Sequence, residues 1–282
     1  RLVRDVSPDA VMFHLHLKKP IFWQLAHWLW LRRMPIINWS KGANLDQADS
    51  RLRYHLFNHF HSLSDALVLY SKNQTPHIKP RNRHKIFAAN NTVNFEDYPD
   101  IPETREQIKA EFNLPFEKIV LFAGTMGVGG ERKKVDHLIQ IFRELERPDV
   151  GLVLVGGGLS PERQARLNPA NTRYLGQVHD PENRQISKLF KAADIFAMPG
   201  HVGLALNQAF YWGLPLVTEA GHHPPEIQYL KPGRNGFMVP ENDIAALKQK
   251  MLFLLDNDDV RAEFSRNARE DIRREASIEG MF

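Results

Sequence analysis

The sequence contains no cysteine. That excludes a disulfide framework, a thiolate nucleophile and any cysteine-ligated metal, and it is compatible with a reducing cytoplasm. A long apolar run is missing too. The most membrane-like stretch, PIFWQLAHWLWLRRMPII, is interrupted by Gln24, His27, Arg32 and Arg33 before it reaches the roughly 20 apolar residues of a spanning helix. Phe22, Leu25, Ala26 and Leu29 share one face of that stretch, as a core helix requires, while Trp23, Trp30 and the two arginines also suit a helix lying at a membrane interface. No long block of like charge occurs. The 37 basic against 33 acidic residues leave +4, which fits a small anionic ligand or a membrane surface and does not call for nucleic acid. There is no internal repeat, no low-complexity tract and no signal-peptide pattern, and the first residue is Arg1 rather than a methionine, so the chain reads as a fragment.

What is present is 282 residues with 43% hydrophobic and 25% charged content, the composition of a soluble protein of two ordinary domains. In the first part DAVMFHLH, PIINWSKG, DALVLYS and HKIFAANN read as short strands, with helices over residues 21–31 and 47–64. Residues 1–99 are assigned to this incomplete parallel α/β domain, and the polar, proline-marked passage that follows makes 100–115 a linker ending in a short helix. Residues 116–282 are more regular. KIVLFAG, GLVLVGG, TRYLGQV, DIFAMPG and LPLVTEA are continuous apolar runs, which predicts strands covered on both faces in a doubly wound parallel sheet. Ligands of such sheets bind outside the carboxyl ends of the strands.

Three strand-end loops therefore matter. In AGTMGVGGERKK, Gly124 and its neighbouring glycines permit close backbone approach while Arg132, Lys133 and Lys134 supply charge, a pattern that suits a phosphate; a plain flexible turn is the alternative. The triple glycine 156–158 lacks the spacing of a dinucleotide fingerprint and reads as a tight turn. In MPGHVGLALNQ, residues 198–208, the chain turns at Pro199 and Gly200, with His201 next to them in the candidate binding loop. It then presents the amides of Val202, Gly203 and Leu204 at the start of a helix, where a diphosphate gains hydrogen bonds and the helix dipole. Gln208, one turn further, has an amide suited to a ribose hydroxyl. His14 with His16, and His222 with His223, form pairs without a third ligand, so no metal is expected.

LFAGTM, KKVDHLI, GLVLVGGG, TRYLGQV, KLFKAADIFAMPG, VGLALNQAFYWGLPLVT and PPEIQYLKPGRNGFMVP occur in the order seen in family 4 glycosyltransferases, and residues 117–280 resemble the donor-binding domain of those enzymes. The first part is similar to the later portion of the family's acceptor domain. The resemblance implies a GT-B fold of two Rossmann-like domains and retaining transfer from a nucleotide-diphosphate sugar. It also implies that neither cofactor nor metal is needed, and that the acceptor is lipid-linked, a polysaccharide or another glycan, met at the inner face of a membrane. It places Lys133 on the donor diphosphate, Val178 beside the base, Glu226 near the donor loop and Lys41 at the acceptor-domain histidine position. Several positions depart from the pattern: Thr125 stands for an arginine, and Gly200 and Gln208 stand for two glutamates seven residues apart. These departures mark a divergent subgroup with a PG-x-VGL loop. They keep two competing functions open, a GT-B nucleotide-sugar epimerase and a non-catalytic sugar-nucleotide-binding module.

Overall fold

The structure is a computed structural model that describes residues 6–14, 19–40, 42, 51–178 and 180–276. The chain divides into two compact units, one up to Asn91 and one from Thr92.

In the first unit, strands β1 (Val11–His14), β2 (Ile36–Ser40), β3 (Ala66–Leu69) and β4 (Ile86–Ala88) form a parallel sheet in sequence order. Val11 pairs with Ile36, and Ile37 with Ala66. Helix α1 (Pro20–Leu31) starts with proline at its first turn, where a missing amide costs nothing, and buries Ala26 and Leu29. Trp23 of α1 packs on Phe60 of α2 (Arg51–Leu63), ring centroids 4.3 Å apart. Trp30 and Leu31 remain exposed. Among the described residues no helix is long and apolar enough to cross a membrane.

The change of unit falls before residue 99, and residues 100–115 are packed rather than a free linker. Ile101 and Ile108 are buried against Ala192, and α3 (Arg105–Glu111) is closed by a capping box between Thr104 and Gln107. Arg105 grips Asp194 with two hydrogen bonds of 2.9 and 2.6 Å. The polar composition that reads as a linker hides two buried isoleucines, Ile101 before the helix and Ile108 within it.

The second unit holds β5 (Lys118–Ala123), α4 (Val135–Arg143), β6 (Val150–Val155), α5 (Pro161–Gln164), β7 (Thr172–Gly176), α6 (Arg184–Ala192), β8 (Ile195–Ala197), α7 (Ala205–Tyr211), β9 (Leu216–Glu219), β10 (Gly236–Val239), α8 (Ile244–Asp256) and α9 (Asp258–Glu275). Its sheet is parallel in the order β10-β9-β8-β5-β6-β7. The apolar runs are buried along their length, as helices on both faces require: all six residues of β6 are inaccessible. β10 escapes the sequence reading because its four residues follow a Pro-Gly-Arg-Asn turn and are too few to show a period. From β5 the chain winds one way through β6 and β7 and the other way through β8, β9 and β10. The switch point, where such sheets open a crevice, therefore lies between the carboxyl ends of β5 and β8.

Candidate functional site

Three loops meet at that switch point, and backbone contacts interlock them. After β5, the amide of Gly124 donates to the Val155 carbonyl at 2.8 Å and that of Met126 to the Gly157 carbonyl at 2.9 Å. After β6, Gly156 adopts φ +129° and lies so close to Gly124 that a Cβ would stand 2.1 Å from the Gly124 carbonyl oxygen. The triple glycine is thus a tight turn because another loop's backbone fills the space a side chain needs. After β8, the amides of Gly200 and His201 donate to the carbonyls of Lys133 and Arg132 at 3.1 and 2.9 Å. A Cβ on Gly200 would stand 1.9 Å from the Arg132 carbonyl oxygen. Glycine at 200 is therefore a packing requirement, and no carboxylate can occupy this position while the two loops are stitched together.

The interlocked loops border a cleft of about 600 Å³, within the range of small-molecule sites. Gly124, Thr125, Val178, Leu204 and Gln208, all singled out by sequence, line it together with the glycines at 127 and 156–158. Sequence reasoning missed its other wall, made by Val93, Tyr98, Gln177 and Ile186. Tyr98 is held by Tyr211 at 5.1 Å, and Tyr211 stacks on Phe95 at 5.1 Å. Burial first, then the neighbouring Tyr211 and Asp97, push the Tyr98 hydroxyl up to about 12, so it stays neutral and acts as a wall. The Phe95 and Tyr98 spacing in NFEDYPD is the signal that could have found it.

Val202 is buried, whereas Gly203, at φ +59°, and Leu204 carry the turn into α7. Among the described residues the amides of Val202, Gly203 and Leu204 donate to no acceptor. Gln208 is half-buried with no hydrogen bond from its side chain among the described residues. Glu226 is buried in the turn Pro225–Tyr229, outside the lining of the cleft. Lys41 and His16 lie outside the described residues.

The three cations of the first loop divide the work. Lys134, in the left-handed region at φ +53°, places its ammonium 3.1 Å from Glu219, 3.0 Å from Glu241 and 2.9 Å from the Asn242 side chain. Glu219, at the end of β9, is wholly buried, and it also meets the His137 ring at 2.5 Å and the Asn242 amide at 2.9 Å. Burial raises its carboxyl, but these partners outweigh the cost and hold it below the ordinary value. Lys133 makes no ion pair among the described residues. Its stem crosses Gly124, with Cε 2.9 Å from where a Cβ there would be. Burial, then the Arg132 guanidinium, push its ammonium down from the usual lysine value. A lysine so placed is stabilised by an incoming anion. His201 is kept neutral at about 4, by burial first and then by Arg132, His222, His223 and Lys133. Among the described residues no cluster of three metal-ligating side chains occurs.

Comparison with known proteins agrees with this geometry. The family model Glycosyl transferases group 1 matches residues 104–271, more than half of the chain. The chain is 29% identical over 191 residues to D-inositol 3-phosphate glycosyltransferase of Xylanimonas cellulosilytica, covering 62% of the chain but only 44% of that protein. It is 24% identical over 278 residues to the D-rhamnosyltransferase WbpZ of Pseudomonas aeruginosa, covering 94% of the chain and 69% of that protein. Among solved structures, Anabaena HepE in complex with UDP superposes with a TM-score of 0.79 at 14% identity, over 99% of this chain and 78% of HepE. That likeness shows the fold: GT-B, with two parallel α/β units.

Proposed function

Because the chain belongs to the group 1 glycosyl transferases, we propose that it is a glycosyltransferase whose second unit binds a nucleotide-diphosphate sugar in the cleft at the β5/β8 switch point. The observation that carries this reading is the contrast between Lys134, consumed by Glu219 and Glu241, and Lys133, which crosses Gly124 at the cleft with no carboxylate among the described residues. The diphosphate lies between Lys133 and the amides of Val202, Gly203 and Leu204. The base rests on the apolar wall of Val178, Ile186 and Tyr98, and Gln208 takes a ribose hydroxyl.

In transfer, the bond between the anomeric carbon and the diphosphate oxygen breaks while a bond to the acceptor's hydroxyl oxygen forms; negative charge grows on the leaving phosphate, which takes up the acceptor's proton. Fixed donors in a partly dry site stabilise that charge without having to reorganise. Lys133 and the three amides are such donors, so the scheme calls for no metal. The acceptor is a lipid-linked or polymeric glycan met at the cytoplasmic face of a membrane, and transfer proceeds with retention. Support for these finer points comes from the family resemblance. A second reading, nucleotide-sugar binding without turnover, is favoured by Gly200, where the Arg132 carbonyl leaves no room for a carboxylate. Release of nucleoside diphosphate only when an acceptor extract is present separates the two.

Calorimetry with UDP, GDP and the matching nucleosides tests the site. Lys133→Ala should weaken the diphosphates about 10- to 100-fold, the size of a lost hydrogen bond to a charged group, and leave nucleosides unchanged. Equal losses for both, or no binding of any diphosphate, refute the proposal.

A further inference from the structure

Helix α1 is apolar on two sides. Ala26 and Leu29 are buried, while on the opposite side Ile21 and Leu31 stand 63% and 72% exposed with half-buried Trp28 between them. A helix that is apolar all round calls for an apolar environment on both sides. The feature is concentrated at its end. Trp30, 55% exposed, and Leu31 form the last turn, and the exposed Arg32 and Arg33 follow. The Arg33 amide donates to the Trp30 carbonyl and the Met34 amide to the Leu29 carbonyl, both at 3.0 Å, a double closure that fixes this tip. Arg33 itself has φ +54°, at the position where glycine is usual and a side chain is strained. Arg32 lies over the Trp28 ring at 5.6 Å, and among the described residues neither arginine has a carboxylate partner. The charge of the whole unit has the same sign. Residues 1–91 hold 14 lysines and arginines against 5 aspartates and no glutamate, whereas residues 92–282 hold 23 basic against 28 acidic residues. An excess spread over one unit suits an extended anionic surface, and it opposes self-association through the same face.

Tryptophan settles at the headgroup level of a bilayer, leucine enters the acyl boundary below it, and arginine meets lipid phosphates. We propose that the end of α1 docks the first unit on an anionic lipid bilayer, with Trp30 and Leu31 entering the interface and Arg32 and Arg33 on the phosphates. For its purpose the inference rests on the reading of a membrane-borne acceptor, but docking itself needs neither donor nor acceptor and is measured without them.

Sedimentation of the whole chain with vesicles of phosphatidylcholine, alone or mixed with phosphatidylglycerol, tests it. Binding should require phosphatidylglycerol and weaken as salt is raised. Arg33→Gly removes one charge and relieves the left-handed strain, so it should melt no lower than the wild type yet bind the anionic vesicles about fivefold more weakly. Trp30→Ser combined with Leu31→Ser should weaken that binding at least about tenfold and leave the melting temperature and the nucleoside diphosphate Kd in place. In the wild type, tryptophan emission should shift to the blue on adding anionic vesicles, and Trp30→Phe should remove most of that shift while binding persists. No sedimentation with anionic vesicles, or binding that neither Arg33→Gly nor the double variant weakens, overturns the docking surface and leaves the donor site standing. Self-association that the double variant abolishes, without vesicle binding, assigns the tip to a second copy of the chain and overturns the proposal equally. Failure of nucleoside diphosphates to bind refutes the donor site alone.

Discussion

In the second unit Glu219 is wholly buried, yet Lys134, His137 and the Asn242 amide all meet it. In the first unit Asn38 and His61 are also wholly buried, and neither side chain has a hydrogen-bond partner among the described residues. The apolar cores differ in the same sense. The second unit has one large cluster running through its strands and a small one around Ile101, Ile108 and Ala192, whereas the first has only two small ones, around Ala26 with Phe60 and around Leu67, Leu69 and Ile78. Loops from several strand ends converge on Glu219, so its charge costs little, while a lone buried polar group costs about 1–3 kcal/mol. The second unit also holds buried polar atoms with no partner among the described residues, on Ser187 and His223, so its advantage lies in the extent of its apolar core and in the partners gathered at Glu219.

The largest expected effect would break the second unit's advantage. Glu219→Ala leaves Lys134 with a weaker carboxylate set and should destabilise that unit by about 3–5 kcal/mol, as when one partner of a buried pair is removed. Hydrogen exchange at the amides of β8 and β9 reads this, and the amides of β2 and β3 should not change. An equal loss of protection in both units would refute the contrast.

Acid should expose the first unit's weakness. Burial, and then Lys85, lower the His61 pKa from 6.5 to about 4. The unfolded chain therefore takes up the proton first as pH falls, so the stability of the neutral ring is complete above pH 6.5 and is lost as pH drops toward 4. Over that window the loss amounts to about 3 kcal/mol. Protection of β2 and β3 should fall across it, and His61→Leu should flatten the dependence; a slope that survives the substitution would rule His61 out as its source.

A smaller effect sharpens the picture at the site. Gly200→Ala pushes a methyl group into the Arg132 carbonyl and should cost about 1–3 kcal/mol, the usual range for overpacking, together with nucleotide affinity. A variant that melts and binds like the wild type would show that the loops are not locked together.

Much of the second unit was legible because its signals are local. Continuous apolar runs marked five of its six strands, and glycine with lysine marked the loop proposed to face the diphosphate. Leu204 and Gln208, read from the turn into a helix, and Thr125 and Val178, reached through the family resemblance, line the cleft. The packing of residues 100–115 was not legible, since Ile101 and Ile108 find their partner Ala192 far along the chain. Glu219 was missed for a related reason: at the end of LPLVTEA it reads as a strand terminus, and its partners come from separate loops.

The sequence by itself determined the class of fold, the strand-end loops and the cluster of cations beside a glycine turn, because apolar run length and residue spacing act over a few neighbours. Only the tertiary structure decided which cation faces an anion. Lys134 is neutralised by carboxylates 85 and 107 residues away, and Gly200 is closed to a side chain by a carbonyl from another loop. Pairings at that range depend on how strands are ordered in the sheet, and residue spacing along the chain does not encode them.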